Sequence, residues 1–144
     1  MAEDGFILGR HSHHGPSHWR RVEDNGLALA EETPGADVLV VRLFAILHDC
    51  RRFEEGYDPE HGSRAAAEAE RWRGRLFELD DAGLELLKLA CTWHDKGRTS
   101  PHPTVGVCWD ADRLDLTRVM IRPRAEYMST AAGKRRAEAT TLRR

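Results

Sequence analysis

A chain of 144 residues is the size of one domain and long enough to bury a core. Its formal charge of -2, from 22 Lys and Arg against 24 Asp and Glu, gives no field for grasping nucleic acid, so stable nucleic-acid binding is not expected. No apolar run approaches the roughly 20 residues needed to span a bilayer, and residues 1–9 are acidic at positions 3 and 4 and lack the apolar core of a signal peptide. Cys50, Cys91 and Cys108 have no CxxC spacing, which argues against a disulfide framework and for a reducing cytoplasm.

In chain order, residues 1–14 read as a loose N-terminal arm in which Phe6, Ile7 and Leu8 can dock and His11, His13 and His14 lie close together. Gly15-Pro16-Ser17 is helix-start punctuation. Residues 18–32 carry Val22, Leu27, Leu29 and Ala30 between charges, which predicts a half-buried helix. Gly26 weakens that helix by roughly 1 kcal/mol relative to alanine, and Thr33-Pro34-Gly35 ends it. A second helix is expected from Ala36 or Asp37 to about Asp49. Apart from Arg42 it has almost no polar face, which predicts a central helix covered on most sides.

Residues 50–59 read as a loop, and residues 60–79 as a helix with the stripe Ala65, Ala66, Ala69, Trp72, Leu76 and Phe77. Asp80 or Asp81 caps the next helix. Its Leu84, Leu87, Cys91 and His94 share one face, so His94 points towards the core. After a loop over 96–104, core character returns over 105–116, with a helix around 110–119. Pro123 stops the pattern, and residues 131–142 read as an exposed, Arg-rich segment whose basic character is local. The expectation is an all-α fold: one compact bundle of about five core helices over residues 15–122, with an N-terminal arm (1–14) and a basic C-terminal segment (123–144).

Residues 43–49, LFAILHD, end an apolar helix in His48 and Asp49. Burying both is costly unless they pair or share a cation, and a helix C-terminus favours positive charge. Imidazole nitrogens and carboxylate oxygens suit divalent first-row metals. His18, His61, His94 and the aspartates Asp110, Asp112 and Asp115 are the partners at hand. Composition does not choose among those three aspartates; Asp110 and Asp115 read as surface charge and a cap. His102, between two prolines, reads as a ligand, a substrate contact or a loop residue. Arg51, Glu54 and Glu55 read as a solvated loop, Arg113 as pairing with a nearby acid, and Cys50 as a small packed residue rather than a nucleophile. GxxxxGK[ST] and GxSxG motifs are missing.

The order His18…His48-Asp49…Asp112 resembles the HD superfamily of metal-dependent phosphohydrolases, whose signature is H…HD…D on a helical bundle. His18-Trp19-Arg20-Arg21-Val22 is similar to its HxxRV motif, with His14 where many relatives carry another histidine. Leu47-His48-Asp49 is similar to the central motif. Asp110-Ala111-Asp112-Arg113-Leu114 resembles the ADRL motif, in which the Asp after Ala is the ligand. The resemblance spans residues 15–119 and implies an HD-domain-like bundle with His18, His48, Asp49 and Asp112 as metal ligands.

His61 and His94 fall where two-metal members place further histidines, so the resemblance implies that Asp49 bridges two ions about 3.5–4 Å apart. Arg52 stands where HD-GYP proteins often carry a phosphate-binding lysine. Arginine keeps the charge and adds a planar fork, but the GYP triplet is missing and cyclic-di-GMP is not implied as substrate.

What the resemblance implies is hydrolysis of a small phosphorylated metabolite or nucleotide by metal-activated water. Asp49 and Arg52 would be catalytic, with His14, Arg52 and His102 at the substrate and one or two divalent ions (Mn, Fe, Ni, Co, Zn or Mg) as cofactor. The alternatives are an HD-type di-iron oxygenase and a non-catalytic ligand-binding HD domain.

Overall fold

The computed structural model describes residues 2, 3 and 5–140, and those residues form an all-helical bundle. Six α-helices follow in order: α1 (Pro16–Glu31), α2 (Val38–Leu47), α3 (His61–Trp72), α4 (Asp81–Trp93), α5 (Pro103–Leu114) and α6 (Ala131–Ala139). Short 3-10 turns at Asp115–Val119 and Ala125–Tyr127 connect α5 to α6. Residues 141–144 of the basic segment lie outside the described residues. Among the described residues, no helix is long and apolar enough to cross a membrane.

α1 starts with Pro16 in its first turn and buries His18, Trp19, Val22, Gly26 and Leu29, a stripe at helical spacing. Gly26 lies on that stripe, where an added Cβ would come within 2.5 Å of a Val41 methyl. Its missing side chain is therefore what lets α1 and α2 approach closely. In the N-terminal arm Phe6 docks, packing edge-on against Trp19 with ring centroids 5.3 Å apart, and the Trp19 indole N–H donates to the His14 carbonyl at 2.7 Å.

α2 is capped by Asp37, whose carboxylate accepts from the Val40 amide. It buries Val40, Val41, Phe44, Ala45 and Leu47 but leaves Val38, Leu39 and Ile46 at 46%, 47% and 41% exposure, so it is not covered on most sides. The central helix is α5, in which every residue from Thr104 to Ala111 is buried. Apolar content singled out α2, whereas α5 is enclosed by α1, α2, α4 and α6 because its polar groups find partners there. Asp110, expected at the surface, is fully buried and accepts from the Ser129 amide, the Thr130 amide and the Thr130 hydroxyl at 2.7–2.8 Å. That clamp ties α6 to α5, and α6 buries Ala132, Gly133 and Ala137 while Lys134, Arg135 and Arg136 stay exposed.

α3 stops at Trp72, short of the expected end at 79. Arg73 turns extended and pairs with Phe77 in an isolated bridge, which lets Phe77 and Leu79 fold back onto the core. At the other end of α3, a Cβ on Gly62 would stand 2.4 Å from the Cys91 carbonyl and 2.8 Å from that of Thr92. The start of α3 thus rests directly on the backbone that ends α4. Asp80 caps α4 by accepting from the Gly83 amide at 2.7 Å.

Candidate metal centre

Five helices deliver their termini or inner faces to one point. His18 comes from the buried stripe of α1, His48 and Asp49 from the end of α2, His61 from the first position of α3, His94 from the C-cap of α4, and Asp112 from the last turn of α5. All four imidazoles are buried, His94 at 4% exposure and the others at 0%. His48 keeps helical backbone angles, so its amide still donates to the Phe44 carbonyl and its ring turns inward.

Each ring is fixed through Nδ1. His18 Nδ1 donates to Asp115 Oδ2 at 2.7 Å, and His48 Nδ1 to the Phe44 and Ala45 carbonyls at 3.0 and 3.1 Å. His61 Nδ1 donates to the Asp58 carbonyl and His94 Nδ1 to the Cys91 carbonyl, both at 2.6 Å. Carbonyl and carboxylate oxygens only accept, so each Nδ1 carries a proton and Nε2 is the nitrogen that faces the centre, where a bound metal ion would take the place of any proton it holds.

Those Nε2 atoms form two sets. In one, His18 and His48 are 3.0 Å apart. Asp112 Oδ1 stands 3.1 and 3.3 Å from them and Asp49 Oδ2 3.4 and 3.5 Å. In the other, His61 and His94 are 2.9 Å apart, with Asp49 Oδ1 at 3.1 and 3.3 Å. Around a metal with bonds of about 2.1 Å, neighbouring ligands are roughly 3.0 Å apart in an octahedron and roughly 3.4 Å in a tetrahedron. The observed spacings are those of ligand shells, and these buried His and Asp groups can hold a metal ion. Asp49 offers one oxygen to each set.

The electrostatics agree with a cation-seeking centre. Burial alone would raise the carboxyls of Asp49 and Asp112, but the surrounding histidines, His48 foremost, hold both well below the usual carboxylate range. Burial works against a charge on His18, yet Asp112, Asp115 and Asp49 outweigh it and push the ring up to about 10. Burial dominates at His48 and lowers its pKa; at His94 the Asp49 carboxylate prevails and raises it. Burial pushes the Cys50 thiol up to about 12, so it is no nucleophile at neutral pH.

A cleft of about 310 Å³ opens onto the centre, lined beyond these His and Asp groups by His14, Arg52, Asp95, Gly97, Arg113, Leu116 and Arg118. Arg52 Nη1 lies 3.1 Å from the His61 ring nitrogens, and its Nε donates to the Glu54 carbonyl. His14 faces the centre through its other nitrogen: Nε2 is engaged by the Glu55 carbonyl at 2.9 Å and Nδ1 stands 3.5 Å from Asp49 Oδ2.

Not every candidate arrives. His102 caps α5 by accepting from the Thr104 amide and lines a separate groove beside Trp93, away from this cleft. Among the described residues Arg113 pairs with no acid; Nη1 donates to the Tyr127 carbonyl, and Nη2 is buried without a partner.

Asp115, expected at the surface, is buried where it orients His18 and takes the Arg21 Nε at 2.8 Å. Four contributors escaped the sequence reading: Asp58, Asp95, Arg118 and the orienting role of Asp115. Asp95 did carry a signal, since His94-Asp95 repeats the His48-Asp49 pair at another helix end, and its carboxylate lies 3.6 Å from His61 Nδ1. Comparison of the chain with protein-family models, with curated proteins and with solved structures gave no match.

Proposed function

We propose that this chain is a metal-dependent phosphohydrolase of the HD type, acting through water on a small phosphate ester. The observation that carries the reading is Asp49, whose two oxygens face two separate imidazole pairs at 3.1–3.5 Å. That disposition supports a dinuclear centre held by His18, His48, Asp49 and Asp112 on one side and by Asp49, His61 and His94 on the other. Divalent ions bound there supply Lewis-acid polarisation of a phosphoryl oxygen and lower the pKa of water.

The chain's own groups do the rest. Arg52, held to its loop by the Glu54 carbonyl, offers charge to a phosphoryl oxygen beside His61. His14, with Nε2 engaged by the Glu55 carbonyl, turns Nδ1 towards Asp49 at the mouth of the centre, where it can contact substrate. The buried helix ends keep bulk water from the imidazoles.

The test is release of inorganic phosphate from a panel of esters with manganese, cobalt, nickel or magnesium, with oxygen uptake followed in parallel on protein purified without air. Metal-dependent phosphate release that Asp49→Ala abolishes, along with bound metal, is the expected result. Unchanged metal content in Asp49→Ala refutes the ligand assignment, and oxygen uptake without phosphate release assigns the centre to di-iron chemistry instead.

A further inference from the structure

Arg118 has no role in holding a metal, yet it lines the same cleft as Arg52 with its side chain only 11% exposed. Two hydrogen bonds fix it in place: Nε donates to the His13 carbonyl at 2.8 Å and Nη1 to the Asp115 carbonyl at 2.9 Å. Among the described residues Nη2 makes no hydrogen bond. The nearest carboxylate, Asp115, stands 4.0 Å away and is already taken by His18 and Arg21. Arg113 lines the same cleft, and its Nη2 is buried without an acceptor among the described residues. The buried Arg113 donor is costly without an acceptor, while Arg118, fixed at its root, leaves Nη2 open for a carboxylate or phosphate.

Charge points the same way. Asp49, Asp95 and Asp112 cancel Arg52, Arg113 and Arg118 around the cleft. A pair of divalent ions therefore leaves a surplus that a phosphate dianion offsets only in part. Among the described residues no Phe, Tyr or Trp lines the cleft on which a nucleobase would stack, and its 310 Å³ is modest.

We propose that the substrate is a compact phosphate ester carrying a second anionic group, which Arg118 receives while the phosphate sits over the imidazole centre. This rests on the phosphohydrolase reading and narrows it away from nucleotides.

Phosphoglycolate and ethyl phosphate differ by the carboxylate alone, so the manganese-loaded full chain is assayed with both and with adenosine monophosphate. The expected kcat/KM for phosphoglycolate exceeds that for ethyl phosphate by about 10–100-fold, mainly through KM, and exceeds that for the nucleotide. Arg118→Gln brings the ratio close to one, and Arg118→Lys restores part of it. A parent ratio near one, or an Arg118→Gln that slows both small esters equally, overturns the proposal. Preference for the nucleotide does so as well.

Calorimetric titration of the same pair into the metal-free protein reads the subsite without turnover. Equal affinities there overturn the proposal even if esters are hydrolysed. A carboxylate preference without release of phosphate from any ester keeps the subsite and removes the phosphohydrolase reading. Should Arg118→Gln fail to fold by its thermal melt, Arg118→Lys and the parent ratio decide.

Discussion

Replacing Asp115 with asparagine tests whether the His18 ring is a ligand held from behind. Asp115 Oδ2 accepts the His18 Nδ1 proton at 2.7 Å in a buried setting, and the same carboxylate takes Arg21 at 2.8 Å. A hydrogen bond to a buried charged group is worth about 1.5–3 kcal/mol. Loss of a partner that orients a metal-binding histidine typically costs about 10–100-fold in metal affinity, which is about 1.4–2.8 kcal/mol. The two ranges overlap.

Asparagine keeps an accepting oxygen in place and removes only the charge, so Asp115→Asn falls near the tenfold end. Asp115→Ala, which removes the acceptor, falls near the hundredfold end. Competition between the protein and a chromophoric chelator for zinc or manganese measures both, with far-ultraviolet circular dichroism to establish folding. The loss is confined to the ion beside His18, because the His61–His94 pair does not touch that ring. Equal affinity in parent and both variants would mean that His18 Nε2 is not a ligand.

Gly62→Ala forces a methyl against the Cys91 carbonyl at 2.4 Å. It should cost about 3 kcal/mol or more in urea unfolding and lower bound metal towards one ion per chain, because His61 moves away from His94. Gly26→Ala gains about 1 kcal/mol of helix propensity but meets Val41 at 2.5 Å. A net loss of about 1–2 kcal/mol is expected, and Val41→Ala in the same chain should recover more than the two changes predict additively.

Asp58 tests the loop that carries Arg52. Burial alone would raise its carboxyl, but the Phe53 amide and the Arg64 guanidinium hold it below the usual range. A depressed folded pKa contributes stability that is complete above the unfolded value of about 3.9 and is lost as pH falls through the folded value. Thermal melts between about pH 2 and 6 should therefore be flatter for Asp58→Asn than for the parent on the acid side. Parallel curves would remove this role.

What the residues near His48 revealed in one dimension was local chemistry. The apolar run into His48-Asp49, the Asp80 cap and the shared face of Leu84, Leu87, Cys91 and His94 follow from backbone hydrogen bonding and helical repeat, which act over a few residues. The observed helices place those groups accordingly. The separation of Asp112 from Asp110 and Asp115 was of another kind. All three lie within six positions, and neither spacing nor composition tells them apart.

The fold distinguishes them by partner: Asp112 faces His18 and His48, Asp115 stands behind His18, and Asp110 clamps the Ser129–Thr130 amides far along the chain. The same holds for α5, whose core character was legible but whose place at the centre of the bundle was set by its neighbours. It holds as well for Arg118, which gained a place on the cleft only when residues 13 and 115 closed around it. Periodicity records which way a side chain leaves its own helix. Whether a buried carboxylate or guanidinium is satisfied, and by what, depends on atoms brought from distant parts of the chain, and that was decided by packing alone.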